Sequence, residues 1–156
     1  MSPLLSLAVA AALQLETPTT PTDDGSVIMW VAANPENCNL GVAKKLALEA
    51  LAEQPDHWSG KCVAVTGYWY GRALFRTLSD ARQRYSQSSD ELDGRRVGIY
   101  GREEALKAAP KRPKKFVAVG IANTCERLSQ GAVMVMGYCH YTGGPMIAVA
   151  ELRPLQ

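Results

Sequence analysis

From Gly60 onward the hydrophobic pattern of this chain repeats every two residues, and that period restricts the fold more than any other feature. Residues 61–71 (KCVAVTGYWYG) set Val63, Val65, Gly67 and Trp69 on one face and Cys62, Ala64, Thr66 and Tyr68 on the other. A pleated strand with one face turned to a core carries this alternation. Apolar segments follow at 73–77 (ALFRT), 96–100 (RVGIY), 116–122 (FVAVGIA), 132–141 (AVMVMGYCHY) and 146–152 (MIAVAEL), punctuated by Gly71-Arg72 and Gly143-Gly144-Pro145. Gly67 inside the first strand predicts a bend or the close approach of a neighbouring backbone. Both suit a sheet that curls on itself.

Helical signals are fewer. Residues 39–54 (NLGVAKKLALEALAEQ) place Leu40, Ala43, Ala47, Ala50 and Leu51 at steps of three and four, which predicts one amphipathic helix. Asn39 is its expected N-cap and Pro55 its stop. Shorter helices are expected at 79–86, at 102–109 with acids in its first turn, and as a capped turn or two at 123–130. The expected fold class is mainly β with short helices.

The amino-terminal segment reads MSPLLSLAVAAALQLE, apolar from Leu4 to Leu13 except for Ser6, about half a membrane span. Ala8, Ala10, Ala11 and Ala12 provide the small-residue pairs that signal peptidase cuts, although no Lys or Arg precedes the run. We expect a signal peptide at 1–14, a linker at 15–25 (rich in Thr and Pro) and one domain over 26–156. Within that domain, 26–59 is a lead-in whose apolar start at 26–33 is a short strand or helical turn. Four cysteines, Cys38, Cys62, Cys125 and Cys139, favour two disulfides in an exported protein, since no paired CxxC of a structural zinc site is present. The expected location is periplasmic or secreted. With 17 basic against 15 acidic residues in 156, the balance does not announce a nucleic-acid or anionic-membrane surface.

The phrases GKCVAVTG (60–67) and GAVMVMG (131–137) resemble the G-x-x-V-x-V-x-G strand openings of oligonucleotide/oligosaccharide-binding (OB) barrels. The segment DHWSGKCVAVTGYW is similar to small exported bacterial proteins of uncharacterised function with such a barrel. The resemblance covers 60–152 and implies a five-stranded Greek-key barrel with a helix between strands three and four, here after an insertion at 78–115. In it, 132–141 would be the fourth strand. Such barrels meet ligands on the face of strands two and three and at the loops between strands one–two and four–five. Tyr68, Trp69, Tyr70 and Arg72 flank the first of those loops, and Tyr138, His140 and Tyr141 the second. Rings beside Arg can stack on bases or sugars, yet strand aromatics also simply pack across a small sheet.

The barrel would also bring Cys62, opening strand one, near Cys139, closing strand four. Alternation sets the two on opposite-facing positions, which slightly favours Cys38–Cys62 with Cys125–Cys139 while leaving both pairings open. The basic run Lys111, Arg112, Lys114 and Lys115, with Arg95 and Arg96 upstream, is a solvated loop or a site for an acidic partner. His57 sits in a turn beside Trp58. No hydrolase, zinc-protease or P-loop motif occurs, and adjacent Glu103 and Glu104 diverge on a helix. The expectation is a non-catalytic binding module for an unknown protein or small molecule, without cofactor. The alternatives are a small periplasmic enzyme or metal protein using His140 and free cysteines, and, least favoured, a nucleic-acid-binding module.

Overall fold

The computed structural model describes residues 37–83, 92–102, 106, 108–128 and 137–156. The expected signal peptide, linker and apolar start of the lead-in lie outside the described residues, as do Glu103, Glu104 and the 132–136 part of the expected fourth strand.

The lead-in differs from its helical periodicity. Residues Lys44–Leu46 form a strand, β1, and only Leu48–Glu53 is helical (α1); Pro55 then opens a second short helix, α2, over Pro55–Trp58. A continuous helix over 39–54 would be about 24 Å long. Two interactions oppose it, one local and one distant in sequence. The Asn39 side-chain oxygen accepts the Gly41 N–H at 2.9 Å, so this residue closes a turn instead of capping a helix. The Cys38–Cys62 disulfide, with Cα atoms 5.4 Å apart, lays the following residues alongside the next strand. Tertiary pairing therefore overrides propensity at Lys44–Leu46.

Five long or central strands close into a mixed barrel. They are β2 (Cys62–Tyr70), β3 (Ala73–Phe75), β4 (Arg96–Tyr100), β5 (Lys114–Thr124) and β6 (Pro145–Pro154). The order around the barrel is β2-β3-β4-β6-β5, and β5 returns to β2 to complete it. All pairs are antiparallel except β4 with β6, and β1 lies parallel to β2 outside the ring. The third barrel strand is thus Arg96–Tyr100, which the sequence placed inside a long insertion, and the fourth is Lys114–Thr124. The expected fourth strand at 132–141 ends instead in a helical turn, α5 (Tyr138–Tyr141), after a Gly137 with φ of 96°. Two further helices, α3 (Leu78–Gln83) and α4 (Cys125–Leu128), connect the strands.

Alternation fills the interior. Val63, Val65 and Trp69 of β2 meet Leu74, Val97, Ile99, Phe116, Ala118, Ala122, Ile147 and Val149, with Leu48 and Leu51 of α1 packed on them. Trp69 meets Phe116 edge to face at 5.0 Å and donates its indole N–H to the Gly71 carbonyl at 2.8 Å. A bulge bends β6 where the pairing steps from Val119↔Glu151 to Gly120↔Val149, leaving Ala150 without a partner in the register. The extra residue lets Val149 and Leu152, three apart, both face the core. Gly67 admits the close approach expected of it, since a Cβ there would lie 3.0 Å from the Phe75 carbonyl oxygen.

The outer face of β3, β4 and β6 is covered too. Ala73, Phe75, Tyr100, Met146 and Ala148 pack there against Ala81, Leu92, Cys125 and Tyr138. Helix α3 is fixed over this layer by a reciprocal cap, in which the Thr77 hydroxyl accepts the Asp80 N–H and Asp80 accepts the Thr77 N–H, both at 3.1 Å. A third cluster, Cys38, Ala64, Val119 and Ile121, seats the lead-in on β2 and β5.

Candidate functional site

The strand Arg96–Tyr100 explains why the site forms where it does. Alternation sends Val97 and Ile99 into the barrel and leaves Arg96, Gly98 and Tyr100 on the outer face. The ring of Tyr138 rests on Gly98. A Cβ added to Gly98 would press on the ring edge and lie 2.7 Å from Tyr138 Cγ, so only glycine admits the ring at that distance. The Arg96 guanidinium stands 5.7 Å from the ring centroid, a cation–π contact. Tyr100 reaches under the same turn, and its hydroxyl accepts the Cys139 N–H at 2.6 Å. Burial pushes the phenol of Tyr100 up, partly opposed by that N–H and by the charge of Arg72. Tyr138 is raised by burial as well, against the lowering influence of Arg96 and Thr142.

Two disulfides hold the frame. Cys38 bonds Cys62 and Cys125 bonds Cys139, the sequential pairing, and the Cys62–Cys139 bridge suggested by strand neighbours does not form. All four cysteines are therefore oxidised, and a mechanism that needs a thiol at Cys139 beside His140 has no thiol to use. Cys125 opens α4 directly after β5 and donates its N–H to the Gly144 carbonyl at 2.8 Å, while Glu126 accepts the Gly144 N–H at 3.0 Å. That N–H holds the Glu126 carboxyl below its ordinary value.

The residues expected to bind ligand divide into two groups. Trp69 is 1% exposed and belongs to the barrel interior, so its assignment to a ligand surface is corrected. The alternation that turned Val63 and Val65 inward carries Trp69 with them. Tyr138 is 8% exposed and is itself occupied by Gly98 and Arg96. Tyr68 and Tyr70 are half-buried against the outer layer, and Arg72 and His140 are exposed. Tyr141 ends α5, and its side chain lies outside the described residues.

The structure brings the two loops together. Arg72, on the turn between β2 and β3, reaches Gly137 at the start of α5, where an added Cβ would be 2.8 Å from Arg72 Nη1. The Ile99 N–H donates to the Arg72 carbonyl at 2.9 Å and fixes the backbone of that turn on β4. Arg72 thus meets the start of α5, the helix that carries the exposed His140, and Tyr70 ends β2 just before the same turn. The basic residues do not gather there as one group. Arg95 pairs with Asp80 at 3.7 Å and Arg96 lies over Tyr138, whereas Lys111, Arg112, Lys114 and Lys115 remain exposed, with Lys115 opposite Tyr68 in the β2–β5 register. His57 is exposed, and Lys61 reaches its ring at 3.3 Å.

Sequence reasoning missed Gly98, Tyr100 and Gly137, and read Arg96 only as part of a basic group. The signal was present in RVGIY, whose alternation already separates Arg96, Gly98 and Tyr100 from the apolar pair. Among the described residues no three His, Cys, Asp or Glu side chains gather as a metal site would require, and no helix is long and apolar enough to cross a membrane. The fold and site define a small closed mixed β-barrel stapled by two disulfides, bonds characteristic of an oxidising compartment. Comparison with protein-family models, curated proteins and solved structures finds no match to this chain.

Proposed function

We propose that this protein is an exported, non-catalytic binding module of the periplasm or the exterior, built on an OB-like barrel, that recognises its partner at the rim formed by Tyr70, Arg72 and His140. The strand order β2-β3-β4-β6-β5 with a parallel β4–β6 pair supports the likeness to OB barrels, in which the third and fifth strands pair this way. The amino-terminal apolar run and the two disulfides support export.

The observation that carries the reading is the meeting of Arg72 with Gly137, which brings the β2–β3 turn against the start of the helix that carries His140. The outer face of β3 and β4, where an OB barrel would take a ligand, is filled by the chain's own Tyr138, which turns recognition toward the rim. An exposed guanidinium, a half-exposed phenol and an imidazole suit a polar ligand such as an acidic peptide or a saccharide.

Immobilised mature protein, presented with glycan and peptide arrays, tests this directly. Binding that is lost in Arg72→Ala and His140→Ala, with thermal melting unchanged, is the expected result. Retention of the same ligands by both variants sinks it.

A further inference from the structure

We infer that the Cys125–Cys139 disulfide is the latch of a redox switch that covers or uncovers the outer face of β3, β4 and β6. The barrel interior and the outer layer are distinct apolar clusters, beside the third that seats the lead-in. The barrel interior contains no residue of α4 or α5, whereas the outer layer includes Cys125 and Tyr138, with Leu128 and Cys139 packed against it. Releasing α5 therefore dismantles the outer layer and leaves the barrel core intact.

The turn that carries Tyr138 depends on outside support. Helix α5 is four residues long, and isolated helices shorter than about 12–15 residues are marginal in water. It is supported by the ring of Tyr138 on Gly98, by the Cys139 N–H on the Tyr100 hydroxyl, and by the covalent bond to Cys125. The bond acts at the residue next to Tyr138, so it restricts where the ring can go. Without it, the cluster that buries Phe75, Tyr100 and Met146 loses the Tyr138 ring as a member.

The bond is also placed to react. Cys125 is buried at 4% exposure, while Cys139 is half-buried. A thiolate of an external dithiol attacks Sγ of Cys139, the S–S bond breaks, and its electron pair leaves on Cys125 Sγ, which takes a proton. The second thiol of the reagent then displaces Cys139 from the mixed disulfide. Two cysteine thiols and one oxidised dithiol result, with two electrons transferred. A periplasmic dithiol reductant is the class of partner that would drive the switch, and reoxidation would close it.

The test uses the full mature chain in graded dithiothreitol, with alkylation mapping of the four cysteines, hydrogen exchange of peptides and binding of an apolar fluorescent dye. As Cys125 and Cys139 become alkylatable, peptides over 137–144 should lose protection and dye fluorescence should rise several-fold. Peptides over 62–70 and 114–124 should keep their protection, and oxidation should restore the starting state. The Cys125→Ser/Cys139→Ser double variant should show the open pattern without reductant. Continued protection of 137–144 after both thiols appear would show that the bond is no latch. Simultaneous loss of protection in the barrel strands would make it a global staple instead. Resistance of the bond until the whole chain unfolds would equally overturn the inference.

Discussion

Replacing Gly98 by alanine should cost stability only while Tyr138 keeps its ring. The new methyl would lie 2.7 Å from Tyr138 Cγ, well inside contact distance, so the ring must leave or the strand must shift. If the ring leaves, it re-exposes on the order of 100 Å² of apolar surface, or about 2.5 kcal/mol. If the strand shifts, overpacking costs about 1–3 kcal/mol. Both routes converge on roughly 2–3 kcal/mol, and a chain of this size should melt about 5–10 °C lower. Gly98 is not among the glycines with positive φ, so alanine fits its backbone. In a Tyr138→Ala background the same change should therefore be neutral, or stabilising by about 0.4–1 kcal/mol through the unfolded chain. Denaturant titration of the four proteins in this cycle should give a coupling of roughly 2–3 kcal/mol. An equal penalty for Gly98→Ala with and without the Tyr138 ring would refute the packing described here.

Four further outcomes follow from the geometry. Trp69→Ala should lose about 3–5 kcal/mol by urea denaturation, because it empties the barrel interior and not a ligand surface. Opening the Cys38–Cys62 loop with a double serine variant should cost roughly 3 kcal/mol in the chain-entropy account, measured the same way. Tyr100 and Tyr138 have folded-state values raised above 10.0, so the stability they contribute is complete below pH 10 and falls as pH rises through their folded values. Tyr138→Phe and Tyr100→Phe should each flatten that alkaline loss in melts scanned from pH 9 upward. Glu126 is lowered from 4.5, so its contribution is present above that pH and disappears as pH falls through the folded value; Glu126→Gln should shrink the acid-side loss.

The barrel was legible where alternation was strict. Residues 61–71 gave β2 nearly residue for residue, including the close backbone contact at Gly67, and the Gly143–Pro145 turn announced β6. The lead-in was misread because Ala and Leu at helical spacing satisfy a helix locally, while the disulfide and the parallel pairing to β2 act over a distance that periodicity does not sense. The same limit displaced the third strand. RVGIY is short and flanked by polar residues, and only its pairing with β3 and β6 makes it part of the ring. Tyr138 and His140 looked like the end of a strand because GYCHY continues an apolar run. The turn at Gly137 and the bond at Cys139 redirect the chain there, and neither leaves a periodic trace. Trp69 is a different case: alternation with Val63 and Val65 turns it inward, and its nearness to the β2–β3 turn does not alter that face.

The molecule is a closed barrel whose outer β3–β4 face is already filled by Tyr138. Two-dimensional nuclear Overhauser spectroscopy of the oxidised protein examines both parts at once. Cross-strand contacts between Val63 and Gly120 and between Val65 and Ala118, together with an upfield-shifted Gly98 α-proton touching the Tyr138 ring, are the expected result. Absence of the β2–β5 contacts, or a Gly98 α-proton at its ordinary position with no contact to that ring, would contradict it.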